Sequence, residues 1–351
     1  MTHYEERLER DLNNIRRLAE ELGDMTGKAV RDARTALLER DHQLASMTVV
    51  GDEPINRAAR EIDRLCHLFV ARHLPSAGNL RFISSMLRLT LGLERIGDYA
   101  SSIARNALHL KDGLPSRVAA DFEMMGTQSS TFLHQAMESF NLRNPEMAKE
   151  VQALCGDYKN TYHKVFEDLV KVGDKGSREI RDLLAMMSSF NRMERVIAQA
   201  KNICEETIFA ATGEVKRQKT FKILFVDEKA ADVSLIAASF ARKNFADCGS
   251  FFSAGTAPAK KVNPELAAFA EAHGLDLSTA TPMGLSDLGV ELEEIPIVVA
   301  LAPVMEPSQI PFRSVLLNWE MPEKGGLEAA FKVIAHELPE LMETLRGDNI
   351  G

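Results

Sequence analysis

The feature that most constrains the fold is a repeated spacing. In the stretch Leu91–Asn106, LGLERIGDYASSIARN, Glu94 and Asp98 stand one helical turn apart, with Arg95 beside Glu94 and Ser102 a further turn on. A hundred residues later the chain reads Met193-Glu194-Arg195-Val196-Ile197-Ala198, followed by Asn202. Ahead of each copy lies an anchor, Leu80-Arg81 or Ile180-Arg181, whose arginine precedes the glutamate by thirteen residues. Two copies of one spacing predict an internal repeat. In the first copy Leu91, Ile96, Ala100 and Ile103 supply the apolar surface that the helix is expected to bury.

The flanking periodicity extends this to whole bundles. Leu8, Leu12, Ile15, Leu18, Leu22, Met25 and Ala29 step by threes and fours along residues 3–42, one face of a long helix. Gly51-Asp52-Glu53-Pro54 reads as the start of a second helix ending near His73, and a third carries the first motif to about Leu110. The second cycle runs from Ser116 to about Leu142, from Pro145 to about Val172, and through the second motif to about Thr212, with Gly213 as a C-cap. Short loops make each cycle an antiparallel three-helix bundle. Repeat one is expected over 1–112 and repeat two over 113–217.

The pattern changes near residue 219. Four of the 13 prolines precede it and nine follow, so the last part is more broken. FKILFV (221–226), SFFSAG (250–255), IPIVVALA (295–302) and SVLLNW (314–319) read as buried strands separated by helices at 230–243, 264–273 and 326–345. That alternation predicts an α/β unit over 220–351 with a four-stranded parallel sheet covered on both faces.

A net charge of −9 argues against a general nucleic-acid binder, and no apolar run approaches the roughly 20 residues needed to cross a bilayer. The opening MTHYEERLERD lacks an apolar signal core. Cys66, Cys155, Cys204 and Cys248 stand singly, without zinc-site or disulfide spacing. A cytoplasmic protein is expected.

The repeated Glu-Arg-x-x-Asp-x-x-x-Asn theme, with Asp41-x-x-Leu-Ala45, Asp52 and Arg72-His-Leu-Pro75 leading to Leu80-Arg81, resembles the PhoU family over nearly all of 1–217. The resemblance implies a regulator of phosphate uptake. It would act on the phosphate ABC transporter, through its ATPase subunit, and on a phosphate-sensing histidine kinase, as a negative regulator and homodimer. It also implies metal held by carboxylates of neighbouring helices, Asp52, Glu94 and Asp98 in repeat one and Asp157, Glu194 and Asn202 in repeat two. Oxygen-rich sets suit iron, manganese, magnesium or zinc. The motif Asn is Ser102 in repeat one, and the motif Asp is Ala198 in repeat two. Losing a carboxylate costs more than exchanging an amide for a hydroxyl, so repeat one is the better site. His67, His134 and His163 are possible additional ligands. Without the family, the same acids read as a solvated helix face.

Residues 220–348 resemble the low-molecular-weight protein tyrosine phosphatase and arsenate reductase family. The resemblance rests on Phe252-Ser-Ala-Gly-Thr-Ala-Pro258, Val262-Asn-Pro264, His273-Gly-Leu-Asp-Leu-Ser278 and Asn318-Trp319. That family's loop is C-x5-R-[ST], in which amides and the Arg cradle an oxyanion while the Cys attacks. Here the Cys position is Asp227 and the Arg position Val233; only Ser234 matches. Asp227, Glu228 and Asp232 stand against one Lys229, and a late Asp-Pro general acid is missing. The expectation is no enzyme but an inactive domain kept for protein interaction or sensing. The rivals are an enzyme of the phosphatase or reductase type, and a metal-binding structural helical protein. A response-regulator receiver, which the Asp227-Glu228 pair also evokes, needs a phosphorylatable Asp at the end of its central strand, and here the third strand, IPIVVALAP, ends without an acid.

Overall fold

The computed structural model describes residues 3–156, 168–171, 173, 178–215, 220–278, 280–311, 314–322 and 324–347. It comprises two compact units, Met1–Lys216 and Arg217–Gly351.

The first unit is helical: α1 (His3–Glu39), α2 (His42–Val50), α3 (Asp52–His73), α4 (Ala77–His109), α5 (Ser116–Asn141), α6 (Pro145–Gly156) and α7 (Ile180–Thr212). The sequence predicts one helix through residue 42, but the chain breaks at Arg40, whose φ of 58° is left-handed. Asp41 then caps α2, its carboxylate accepting from the Leu44 amide at 2.9 Å. The Asp41-x-x-Leu spacing is thus an N-cap. Gly213 closes α7 as expected, with φ 78° and its N–H donated to the Phe209 carbonyl.

α4 and α7, the two motif helices, pack along each other, and one apolar core runs from Leu12 through Ile96 and Phe122 to Cys204 across both repeats. At their crossing the helices come close: a Cβ at Gly92 would stand 3.3 Å from Gln199 Oε1, the movable end of a side chain. Asn106 Nδ2 donates to the Ala185 carbonyl and to Ser189 Oγ, and Arg88 pairs with Glu206 at 2.5 Å. Ile96, Ala100 and Ile103 are fully buried, whereas Leu91 is 50% exposed. The expectation for Leu91 is therefore corrected. The core stripe of α4 passes through Leu89, Leu93, Ile96 and Ala100, and Leu91 lies off it.

The ends of α1 and α3 are tied by polar contacts. Tyr4 Oη donates to the His73 carbonyl, and Asp11 Oδ2 lies 3.0 Å from Nε2 of the buried His73. The hydrogen bond with His73 holds the Asp11 carboxyl below its ordinary value of 3.8, burial opposing. A depressed carboxylate contributes stability above its unfolded-state pKa and loses it as pH falls through the folded value. Asp11→Asn should therefore cost about 1 kcal/mol near neutrality. The gap to the parent should close below the normal carboxylate range in urea-melting midpoints followed from neutral pH into acid.

The second unit holds β1 (Phe221–Asp227), α8 (Val233–Asn244), β2 (Gly249–Gly255), α9 (Pro264–Ala272), β3 (Ile297–Ala300), β4 (Val315–Asn318) and α10 (Gly326–Arg346). All strands are parallel, in the order β2-β1-β3-β4. Alternation splits the sheet's residues between two faces. Ile223 and Phe225 pack with Leu235 and Ile236 of α8 and Ile334, Leu338 and Met342 of α10. Leu224, Val226 and Val298 meet Leu288, Ile295 and Met305 from the segment before and after β3. That second face is covered by short 3-10 turns, not by long helices. The strand order reverses direction at β1, and the loop leaving β1 emerges at the carboxyl edge there, where parallel sheets bind their ligands.

Candidate functional site

The acidic faces of α3 and α4 meet around Gly97. A Cβ at that position would stand 2.9 Å from Ile55 and 3.5 Å from Asp52 Oδ1, so the glycine lets α3 lie close and brings Asp52 against the Glu94–Asp98 turn. Asp52 Oδ1 is buried and accepts no hydrogen bond; Asn56 Oδ1, one turn along α3, is buried and unpartnered as well. The two side chains touch only through Asn56 Nδ2 and Asp52 Oδ2 at 3.3 Å. Burial raises the Asp52 carboxyl above its ordinary range, and the charge of Asp98 adds to it. Glu94 is raised by burial and then by Asp98, against the pull of Arg95. Carboxylates crowded this way, with two buried oxygens facing no donor, form a set that a cation would complete.

Beside this set runs a groove of about 310 Å³ lined by Asn56, Arg60, Asp63, Leu87, Leu91 and Glu94, among others. The oxygens of Asp52, Glu94 and Asp98 do not all lie within 4.8 Å of one another, so the set is open. Among the described residues that distance is met by His336, Glu337 and Glu340, on one outer turn of α10. Ser102 is half-buried a turn beyond Asp98. His67 is exposed and faces Asp63 at 3.4 Å.

Repeat two presents less. Glu194 is half-buried, the next turn offers the exposed methyl of Ala198, and Asn202 donates to Gln199 Oε1 at 3.3 Å. Asp157 and His163 lie outside the described residues. His134 lines a cleft of about 290 Å³ between α1 and α5 and is remote from the motif in sequence. Of the residues the sequence singles out, the structure brings together Asp52, Glu94 and Asp98. The missed one is Asn56, whose signal was the same one-turn spacing, Asp52-x-x-x-Asn56, on the facing helix.

In the α/β unit the loop after β1 is folded around Asp227. The side chain is 8% exposed; Oδ1 accepts from the Ala230 amide at 2.5 Å and Oδ2 from the Ser234 amide, in the first turn of α8, at 2.9 Å. Asp232 accepts from Asn263 Nδ2 at 3.1 Å. The picture of three carboxylates confronting an anion is therefore refined: Asp227 turns inward and takes loop donors itself, leaving Glu228 outside. The neighbouring segment is laced to the loop by amides of Thr256, Ala257 and Ala259 donating to the carbonyls of Asp227, Glu228 and Lys229. Cys248 is buried, its sulfur accepting from Arg346 Nη2 at 3.0 Å, consistent with a packing role.

A tandem of helical repeats, with a full acidic turn on α4 and a single acid, Glu194, at the equivalent turn of α7, defines an all-α repeat class, carrying here an added α/β unit. A family model described as the PhoU domain matches residues 19–107 and 122–207. A phosphate-specific transport system accessory protein PhoU homolog of Pseudomonas putida is 30% identical over 221 residues, 63% of this chain and 86% of that protein. The crystal structure of PhoU from Pseudomonas aeruginosa, 29% identical, superposes with a TM-score of 0.57 over 59% of this chain and 99% of that one. The chain belongs to the PhoU family. A much looser likeness, TM-score 0.31 at 21% identity over 36% of this chain and 98% of that one, is to an arsenate reductase in the phosphate binding state. Nothing about chemistry in the α/β unit rests on it. Among the described residues no helix is long and apolar enough to cross a membrane.

Proposed function

We propose that this chain is a metal-dependent PhoU-type regulator of phosphate uptake and phosphate-responsive signalling. Its working metal centre lies in repeat one, and its α/β unit serves protein interaction or sensing without catalysis. The observation that carries the metal reading is the pair of buried, donorless oxygens of Asp52 and Asn56 beside Glu94 and Asp98. Asp52, Asn56, Glu94 and Asp98 would hold the ion, an all-oxygen set suited to iron, manganese, magnesium or zinc. Bound there, the ion would neutralise the crowded carboxylates and fix α3 against α4. Repeat two, with a methyl where a carboxylate is needed, is the weaker site.

The partners this reading expects are the ATPase subunit of the phosphate ABC transporter and a phosphate-sensing histidine kinase, in the cytoplasm, with the regulator acting as a homodimer and repressing the response. The relatives' name, accessory protein of a phosphate-specific transport system, supports association with the transport machinery, and the ATPase subunit, the kinase and the homodimer are what the family resemblance implies. The inactive α/β unit follows from Asp227 and Val233 at the positions where that chemistry needs a thiolate and an arginine.

The test is elemental analysis of purified protein beside two double variants, Glu94→Ala/Asp98→Ala and Glu194→Ala/Asn202→Ala. Metal should be lost in the first and largely kept in the second. A parent that binds none of the four metals after reconstitution would sink the metal reading. An aryl-phosphate or arsenate turnover above background would sink the inactive-domain reading, and failure to capture the transporter ATPase in a pull-down would sink the partner assignment.

A further inference from the structure

A second, unrelated cluster sits in the helical unit where α1, α4 and the α5–α6 turn meet. Phe82 of α4 is 4% exposed, and its ring is stacked on Phe140 with centroids 5.7 Å apart. Two guanidinium groups lie against the same ring: Arg16 Cζ from α1 is 4.9 Å from its centroid, and Arg143 Cζ from the turn is 4.6 Å from it. Like charges so placed repel. Burial lowers both pKa values, and for Arg16 the charge of Arg143 lowers it further.

Arg16 is half-buried and Arg143 exposed. Among the described residues neither of these forms an ion pair. Arg16 Nη1 donates to Asn13 Oδ1 at 2.8 Å, its Nε is buried without a partner, and Glu9 is the acid whose charge reaches it. The exposed Arg143 lies against the Phe82 ring and, among the described residues, forms no side-chain hydrogen bond. Its backbone is left-handed, with φ 52°, a conformation that costs an L residue roughly 1 kcal/mol and for which glycine or asparagine is the ordinary choice. Arg40 shares this conformation at the equivalent turn of repeat one, each arginine standing just before a capping residue, Asp41 or Asn144. The adjoining amides of Glu146 and Met147 are already taken by Asn144 Oδ1, so the guanidinium groups are the donors on offer.

We propose that Arg16 and Arg143, stacked on Phe82, form a binding site for a doubly charged tetrahedral oxyanion, either inorganic phosphate or the phosphoryl group of a larger molecule. With Nη1 of Arg16 on Asn13 and its Nε buried, Arg16 has Nη2 left to donate, and Arg143 brings its own N–H groups, so that the pair can serve separate oxygens of one phosphate. Neither arginine can shed its charge at working pH. A bound anion would relieve their repulsion, and a dianion matches the two charges where a single carboxylate would match one. The site is independent of the metal reading and shares no residue with it.

Full-length protein, stripped of metal by chelation so that a metal-held phosphate cannot imitate the site, is titrated calorimetrically with inorganic phosphate at constant ionic strength. The parent should bind one equivalent. Arg16→Gln and Arg143→Gln, with helical circular dichroism intact, should each bind at least about tenfold more weakly, as expected for one lost charge-assisted pair. Sulfate should compete. Phenyl phosphate binding as well as or better than phosphate would assign the site to phosphoryl groups of larger molecules; exclusive binding of phosphate would assign it to the free ion. Arg143→Gly adds a separate readout, since it should raise the melting midpoint while weakening phosphate. No saturable binding by the parent, or binding that the Arg16 and Arg143 variants leave unchanged, would overturn the proposal.

Discussion

Asp227→Ala is expected to lower the stability of the α/β unit by roughly 3–5 kcal/mol. The side chain is an acceptor for two buried amides, Ala230 and Ser234, and each hydrogen bond to a charged acceptor contributes about 1.5–3 kcal/mol. Removing it strands both N–H groups in a place closed to water. Ser234 Oγ, fully buried with no partner of its own, offers no substitute acceptor by its present geometry. Asp227→Asn, which keeps one oxygen and loses the charge, should fall between. Hydrogen exchange at the Ala230 and Ser234 amides is the direct measurement. Both should be slow in the parent and fast in Asp227→Ala, with the helical unit's amides unaffected. Unchanged exchange would mean that the loop is held by its other backbone bonds and that Asp227 is incidental.

That role was not legible in the sequence, and the reason is physical. An aspartate at the position of a missing thiol reads as a lost nucleophile and as one more negative charge. Whether it faces solvent or turns back on the loop depends on Ala230 adopting φ 50° and on Ser234 presenting its amide, which no spacing encodes. The helical half was more transparent, because helix periodicity and the repeated thirteen-residue spacing are local signals. They located α4, α7 and the Gly213 cap, and they placed Glu94 and Asp98 on one face. The break at Arg40 was missed because the apolar period passes through it; the signal present was Asp41 as a cap. Leu91 was misassigned because its neighbours define a stripe one step away. Asn56 is not marked by charge, the signal that singles out the carboxylates, although a neutral amide oxygen can also face a hard cation. The shared core of the two repeats could not be read at all, since α4 meets α7 from a hundred residues away.

Among the described glycines, Gly255→Ala should be the most damaging substitution by alanine. A Cβ built there would stand 2.7 Å from the Ala230 nitrogen, 2.8 Å from the Lys229 carbonyl carbon and 2.9 Å from the Glu228 oxygen. All three are backbone atoms, so no side chain can swing away, in contrast to Gly23, where the obstacle is the flexible end of Met137. Overpacking a well-filled site costs about 1–3 kcal/mol, and the upper end or beyond is expected here because relief requires moving the loop itself. The loop cannot move without stretching the Asp227 bond to the Ala230 amide, whose nitrogen is the nearest obstacle. The two substitutions should therefore be strongly non-additive: Asp227→Ala/Gly255→Ala should cost less than the sum of the singles by on the order of 1 kcal/mol or more, as coupled neighbours do. Denaturant midpoints of the four proteins in this cycle measure it. Strict additivity would mean that the loop accommodates the methyl elsewhere, and that β2 and the loop after β1 are held together by the Thr256, Ala257 and Ala259 amides alone.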